Sequence, residues 1–296
     1  MPDLFSDIQE RINQLRKETL RHEHLYYALA QPEISDTEFD RLLNDLKALE
    51  RAYPELVSPD SPTQRVGGAA TTFNTVTHRV RMMSLENAYS VEDLHDWITR
   101  MEKGTGQVFP IVAELKIDGV SISLQFREGR YQAAATRGDG VTGDLVTANV
   151  KTIRTLPLSI ESPFDMDVRG EVFVPKAVLV RLNQERLAAG EEPFKNCRNL
   201  AAVTLKSLDP AVAGSRGLRV LSYGIAQAQE LGFLLHSETL AFLLKQGFPV
   251  NHPIKLCKNI AELEEFIRDV ETRQQQFELD IDGIVFKVDS LRAQEE

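Results

Sequence analysis

The chain has 296 residues, 42% of them hydrophobic and 26% charged, a composition that gives an ordinary soluble globular protein one large core or two smaller ones. A net charge of −10 and a pI near 5.2 exclude a surface dominated by nucleic-acid binding, although a local basic groove is compatible with both. Cys197 and Cys257 offer no zinc-type spacing and no disulfide framework, no apolar run reaches the length of a membrane span, and "MPDLFSDIQERINQ" has no signal-peptide profile; the expected address is the cytoplasm.

In chain order, residues 1–52 predict two helices. Ser6 and Gln9 have capping-box spacing near Ile8, Ile12 and Leu15, and Ser35 and Glu38 repeat it ahead of the stripe Phe39, Leu42, Leu43, Leu46 and Leu49. The pair forms a helical hairpin, followed by "PELVSPDSPTQRVGG", which reads as a linker or extended loop. From residue 90 a short helix, "SVEDLHDWITRM", precedes a strand-rich region. "VSISLQFREGRYQAAAT" alternates and turns at Glu128-Gly129, the signal of a β-hairpin. Further strands are predicted at "MDVRGEVFV", "LRVLSYGIA" and "DIDGIVFKV", with helices at about 175–189, 196–208, 236–246 and 259–275. Hairpins mixed with helices predict an α+β fold.

"AELKIDGV" raises the question of function. On a strand, Glu114, Lys116 and Asp118 share one face while Ala113, Leu115 and Ile117 point to a core. Such a triplet is either a solvated sheet surface or a reaction centre, where neighbouring cations such as Arg137, Arg198 or Lys287 would favour a neutral, nucleophilic amine. "TRGDGVTGD" contains a formal G-x-G-x-x-G, but its preceding strand belongs to a hairpin, so a glycine-rich turn competes with a dinucleotide-binding Rossmann element and a hydride-transferring oxidoreductase. "MDVRGEVFV" puts Asp167, Arg169 and Glu171 together on what is ordinarily an exposed face. "DIDGIVFKV" pairs Val285 with Lys287, able to flank a planar base and meet its phosphate, or merely to protect a sheet edge. Asp36 and Asp40 lie one helical turn apart, and Tyr26 and Tyr27 end the preceding helix; they suit either a helix dipole and a wedge, or a pocket for a cationic aromatic ring.

The ordered set "RHEHLYYALAQPEISDTEFDRL", "SPDSPTQRVGG", "MSLENAYS", "AELKIDG", "TRGDGVTGD", "VRGEVFVP", "CRNLAAVTLKSLD" and "DIDGIVFKVDS" closely resembles the adenylation portion of bacterial NAD+-dependent DNA ligases, over nearly the whole chain. The resemblance implies a helical NAD+/NMN-recognition subdomain with linker at 1–68 and, at 69–296, a nucleotidyltransferase domain of mixed and antiparallel sheets with flanking helices, an ATP-grasp-like ligase core. It implies that Lys116 attacks the adenylyl phosphorus of NAD+, releases nicotinamide mononucleotide (NMN) and retains AMP, the first step of nick sealing in replication and repair. Arg137 and Glu171 would hold the ribose, Ser84, Leu85 and Glu114 would surround the nucleotide, and Tyr223 and Val285 would sandwich the adenine. Lys287 and Arg198 would steady phosphates, Asp118 would orient water on Mg2+ or Mn2+, and Tyr26, Tyr27 and the run Asp36, Thr37, Glu38, Phe39 and Asp40 would receive the nicotinamide nucleotide.

Departures from the family pattern accompany the likeness. Cys197 precedes Arg198-Asn199 where a proline is usual, Leu200, Val203, Thr204 and Lys206 replace small residues and an arginine, and Phe39 replaces a tyrosine. The family's last lysine motif, oligonucleotide-binding barrel, zinc module and helix-hairpin-helix domain are expected beyond residue 296. The chain is therefore expected to be a monomer limited to self-adenylylation, weak on nicked duplex DNA alone; an impaired NAD+-binding module is the alternative.

Overall fold

The computed structural model describes residues 4–25, 31, 33–65 and 72–295. Two helices, α1 (Leu4–Glu23) and α2 (Asp36–Ala52), close on each other through Ile12, Leu15 and Leu46, flanked by Ile8, Leu42 and Leu49. The predicted capping box at α2 is formed, with Ser35 and Glu38 exchanging hydrogen bonds. That at Ser6 is not, because α1 already begins at Leu4 and Ser6 lies inside its first turn.

The stretch read as a linker is partly a fastening. Two 3-10 turns, Pro54–Leu56 and Pro62–Gln64, lead to the buried Arg65. Its guanidinium donates to Glu23 at the end of α1 (2.8 Å) and to the carbonyls of Lys151 (3.2 Å), Ile153 (3.0 Å) and Leu156 (3.4 Å). Five donors in a rigid fork suit an arginine to this task, which ties the helical hairpin to the body of the fold.

The remaining elements are β1 (Thr75–Thr77), α3 (Val91–Thr105), β2 (Ile111–Ile117), β3 (Val120–Arg127), β4 (Arg130–Thr136), β5 (Thr142–Asp144), α4 (Thr147–Lys151), β6 (Met166–Phe173), α5 (Lys176–Ala188), α6 (Cys197–Leu205), α7 (Pro210–Ser215), β7 (Arg219–Ile225), α8 (His236–Lys245), β8 (Ile254–Cys257), α9 (Ile260–Arg273) and β9 (Ile281–Val288). They make three antiparallel sheets, ordered β8-β2-β9, β4-β3-β6-β7 and β1-β5. The fold is α+β, with the predicted hairpin turning at Glu128-Gly129, both at positive φ.

Strand β2 belongs to two cores. Ile111, Ala113 and Leu115 pack with Leu94 of α3 and with Leu263, Phe266 and Val270 of α9. Val112, on the opposite face, joins the main core of Ile122, Leu124, Val168 and Leu200. Alternation then turns Glu114 and Lys116 toward the four-stranded sheet. The chain passes from β2 to β3 through Asp118-Gly119, where a β-carbon on Gly119 would stand 2.5 Å from the Val172 carbonyl oxygen and 2.8 Å from Cγ of Glu171. Gly119→Ala is therefore expected to cost about 1–3 kcal/mol by overpacking, read as a lowered denaturation midpoint; wild-type stability would mean that β3 and β6 separate freely there.

Candidate active site

The hydrogen-bonded cluster stands where the three- and four-stranded sheets meet. Lys116 and its register partner Gly283 sit side by side on β2 and β9. Nζ of Lys116 donates to both carboxylate oxygens of Asp282, at 2.6 Å each, and the pair is partly exposed. Two residues on, Asp118 accepts from Arg198 at the start of α6 (3.1 Å). Asn196 caps α6 by accepting from the Asn199 amide, which fixes the turn that carries Arg198.

Glu114 is the buried member of the β2 triplet. Its Oε1 accepts from Lys287 Nζ (2.9 Å) and lies 2.8 Å from His236 Nε2, while Oε2 has no hydrogen-bond partner among the described residues. Burial acts to raise this carboxyl, but the Lys287 ammonium and the His236 hydrogen bond outweigh it and hold it at about 2. Lys287 also donates to the Tyr223 carbonyl (3.2 Å), and its ammonium sits 5.1 Å from the centre of the Tyr223 ring. Tyr223 falls where the β6–β7 register shifts, between Ser222 paired to Gly170 and Gly224 paired to Arg169. A bulge of this kind re-aims a side chain, here under Lys287. Burial pushes its phenol up to about 12.

From the opposite sheet, Glu171 accepts from Ser121 (2.8 Å). Burial pushes its carboxyl up to about 7, opposed by that hydrogen bond and by the positive charges of Arg198, Lys116 and Arg137, so the three cations converge on it. A folded Glu171 keeps its proton to about pH 7, whereas an ordinary one keeps it only to about 4.5. The folded state then binds more protons in that window, and stability falls as pH rises through it. Glu171→Gln is expected to flatten this slope, adding about 1–3 kcal/mol at pH 8 and almost nothing at pH 4.5. Denaturant titrations at the two pH values check it; an effect equal at both would show that Glu171 ionises normally.

The structure thus unites Glu114, Lys116, Asp118, Arg137, Glu171, Arg198, Tyr223, Val285 and Lys287, with Val285 paired to Glu114 across β2–β9. Others among the described residues stand apart from this cluster. Ser84 and Leu85 occupy the exposed 83–90 segment, outside the hydrogen-bonded cluster, although Met82 just before them donates to the Gly140 carbonyl (2.9 Å). Tyr26 and Tyr27, and the side chain of Asp36, lie outside the described residues. Among the described residues, no hydrogen bond or ion pair links Thr37, Glu38, Phe39 or Asp40 to the cluster, and the Glu38 carboxylate is occupied in capping α2.

Other readings are corrected. The G-x-G-x-x-G is a turn between β4 and β5, in which Asp139 accepts from the amides of Val141 (2.9 Å) and Thr142 (2.7 Å). Gly138 has φ +56, and a β-carbon there would lie 1.8 Å from the Thr142 carbonyl oxygen. The element therefore closes a turn and opens no helix, which removes the Rossmann alternative. Asp167 and Arg169 are buried, not exposed as an ordinary sheet face would be; Asp167 pairs with Arg127 (3.0 Å), and Arg169 donates to the Val80 carbonyl (2.5 Å). Asp282 and His236 were missed. Asp282 lies within a motif already marked, but alternation puts it on the face of Ile284 and Phe286, and only the register shift between Lys116 and Ile117 brings it to Lys116; His236 lies in no motif and carries no sequence signal. A cavity of about 420 Å³ between α1 and the 154–159 loop is lined by none of these residues.

A family model of the NAD-dependent DNA ligase adenylation domain matches residues 70–296, and one of the DNA ligase-like N-terminal NAD+-binding domain matches residues 5–67. The chain belongs to the NAD-dependent DNA ligases. Ligase relatives include the DNA ligase of Anoxybacillus flavithermus, 44% identical over 98% of this chain and 43% of that protein. The DNA ligase of Desulforudis audaxviator is 46% identical over 98% of this chain and 44% of that protein. That of Bacillus subtilis is 43% identical over 97% of this chain and 43% of that protein. The chain thus spans less than half the length of these ligases. Among solved structures, a Naegleria gruberi RNA ligase mutant bound to ATP and Mn overlaps 76% of this chain and 57% of its own, at TM-score 0.34 and 13% identity, too slight a likeness to argue from.

Proposed function

We propose that this chain adenylylates itself with NAD+ and that Lys116 is the nucleophile. The observation that carries the reading is the Lys116 amine at the meeting of two sheets, with both oxygens of Asp282 at 2.6 Å and the charges of Arg137 and Arg198 nearby. Asp282 stands where a group that takes the lysine proton must stand. The freed amine attacks the adenosine-bearing phosphorus; a P–N bond forms, the pyrophosphate P–O bond breaks, and NMN leaves with that electron pair. Positioning and charge neutralisation dominate such transfers, and Lys287 and Arg198 supply fixed cations.

The nucleoside end fits the same residues. Tyr223 offers an aromatic face and Val285 an apolar one, Glu171 and Arg137 border the ribose position, and the unpaired Oε2 of Glu114 calls for an N–H donor on the base. Ser84 and Leu85 would have to close over it. A divalent cation fits as a phosphate-borne ion, since Mg2+ keeps most of its waters and needs one or two carboxylates; Asp118 would orient its water, and when bound it would neutralise pyrophosphate charge. Tyr26, Tyr27 and residues 36–40 would take the nicotinamide nucleotide, within a hairpin unit at 1–68 preceding the adenylation unit at 69–296. Transfer of AMP to nicked duplex DNA, by a cytoplasmic monomer, is the reaction this step would feed.

The test is intact mass spectrometry after incubation with NAD+ and Mg2+, preceded by NMN to strip resident AMP. One added AMP with release of NMN is expected. Binding of NAD+ without any adduct would make this chain a binding module and overturn the proposal.

A further inference from the structure

His236 opens α8 and is clamped there. Its amide donates to the Asp289 carbonyl (2.6 Å), the next residue's amide and hydroxyl donate to the Asp289 carboxylate (2.8 and 3.0 Å), and Thr239 donates to the His236 carbonyl (2.6 Å). The ring is buried, with Cε1 close to Gly224, where a β-carbon would be only 3.8 Å from it. Its Nε2 has two neighbours, Oε1 of Glu114 at 2.8 Å and Nζ of Lys287 at 3.3 Å. One nitrogen cannot serve both: toward the carboxylate it must donate, toward the ammonium it must accept. Burial first, and then the Lys287 charge, lower the imidazole pKa and keep the ring neutral, so a single tautomer decides. The shorter contact is to an ionised carboxylate, which selects Nε2–H as the donor.

We infer that His236 is a positioning residue for purine recognition: by donating Nε2–H to Oε1 of Glu114 it leaves Oε2 as that carboxylate's acceptor without a partner among the described residues, favouring a 6-amino purine over a 6-oxo purine. With Lys287 also on Oε1, the carboxylate is held at one end, and the other oxygen is buried without a partner among the described residues. An exocyclic amine satisfies it, whereas a carbonyl oxygen at the same place meets a carboxylate oxygen with no proton between them. This inference rests on the reading of the cluster as a nucleotide site.

The experiment measures dissociation constants of NAD+ and of its 6-oxo analogue, nicotinamide hypoxanthine dinucleotide, by calorimetry for wild type, His236→Leu and His236→Gln. Wild type is expected to prefer NAD+. His236→Leu should lose about tenfold of that preference, and His236→Gln, whose amide nitrogen can replace Nε2–H, should regain most of it. An unchanged ratio in a folded His236→Leu protein overturns the inference. If that variant does not fold, nitrogen NMR of wild-type His236 decides: a proton on Nε2 supports the inference, and a proton on Nδ1 alone refutes it. Absence of NAD+ binding in wild type would instead defeat the nucleotide-site reading and this inference with it, whereas an unchanged ratio with NAD+ bound defeats the inference alone.

Discussion

Lys116→Ala is expected to remove the AMP adduct completely, a loss on the order of a thousandfold or more in rate, while NAD+ still binds. Lys116→Arg gives the sharper result. It keeps a positive charge beside Asp282, and so keeps any role Lys116 has in attracting phosphate or pairing the acid. A guanidinium does not give up its proton in a protein, however, so it cannot present a lone pair to phosphorus. If the arginine variant is as inactive as the alanine variant, the amine is the attacking group. If it retains an adduct, the attacking group lies elsewhere and Lys116 is an electrostatic aid. Rapid-quench measurement of adduct formation separates these outcomes, with NAD+ binding measured in parallel to show that the site is intact.

Glu114→Gln is expected to destabilise the fold by about 3–5 kcal/mol at pH 7, since it strips a mostly buried Lys287 of its anion. The pH dependence identifies the cause. The folded carboxyl lies at about 2, below its ordinary value of 4.5, so the unfolded chain takes up a proton first as pH falls. Its stabilisation is present above pH 4.5 and is lost progressively toward pH 2. Denaturant midpoints of variant and wild type should therefore converge on going from pH 7 to pH 3. A gap that persists unchanged would assign the cost to packing around the amide.

Strand alternation made most of the candidate site legible in the sequence. Glu114 and Lys116 on one face, Val285 and Lys287 on another, and Glu171 opposed to Val168 and Val172 all follow from a period of two. The hairpin stripe and the Ser35 cap were equally legible, because helical spacing and local hydrogen bonding fix them. What escaped was set by tertiary approach. Arg65 stood in a segment rich in Pro, Ser and Gly, and nothing local marks it as a buried fastening. His236 reaches Glu114 across 122 positions of chain, and its ring is placed by the Asp289 clamp at the helix start, which no periodicity encodes. The short strands β1, β5 and β8 were missed because three or four residues carry too little pattern to count.

The two-sided burial of β2 makes the Lys116 amine answerable to packing on a face it never touches. Ala113 and Leu115 rest on α9, one residue away from Glu114 and Lys116. Slack introduced behind the strand, at Leu263 or Phe266, is transmitted as a displacement of Nζ in front of it, because a close-packed interior passes strain along instead of absorbing it. Heat-sensitive alleles of this domain would then map to the back of the sheet, far from any group that handles nucleotide, and would fail in the alignment of attack well before they fail to fold.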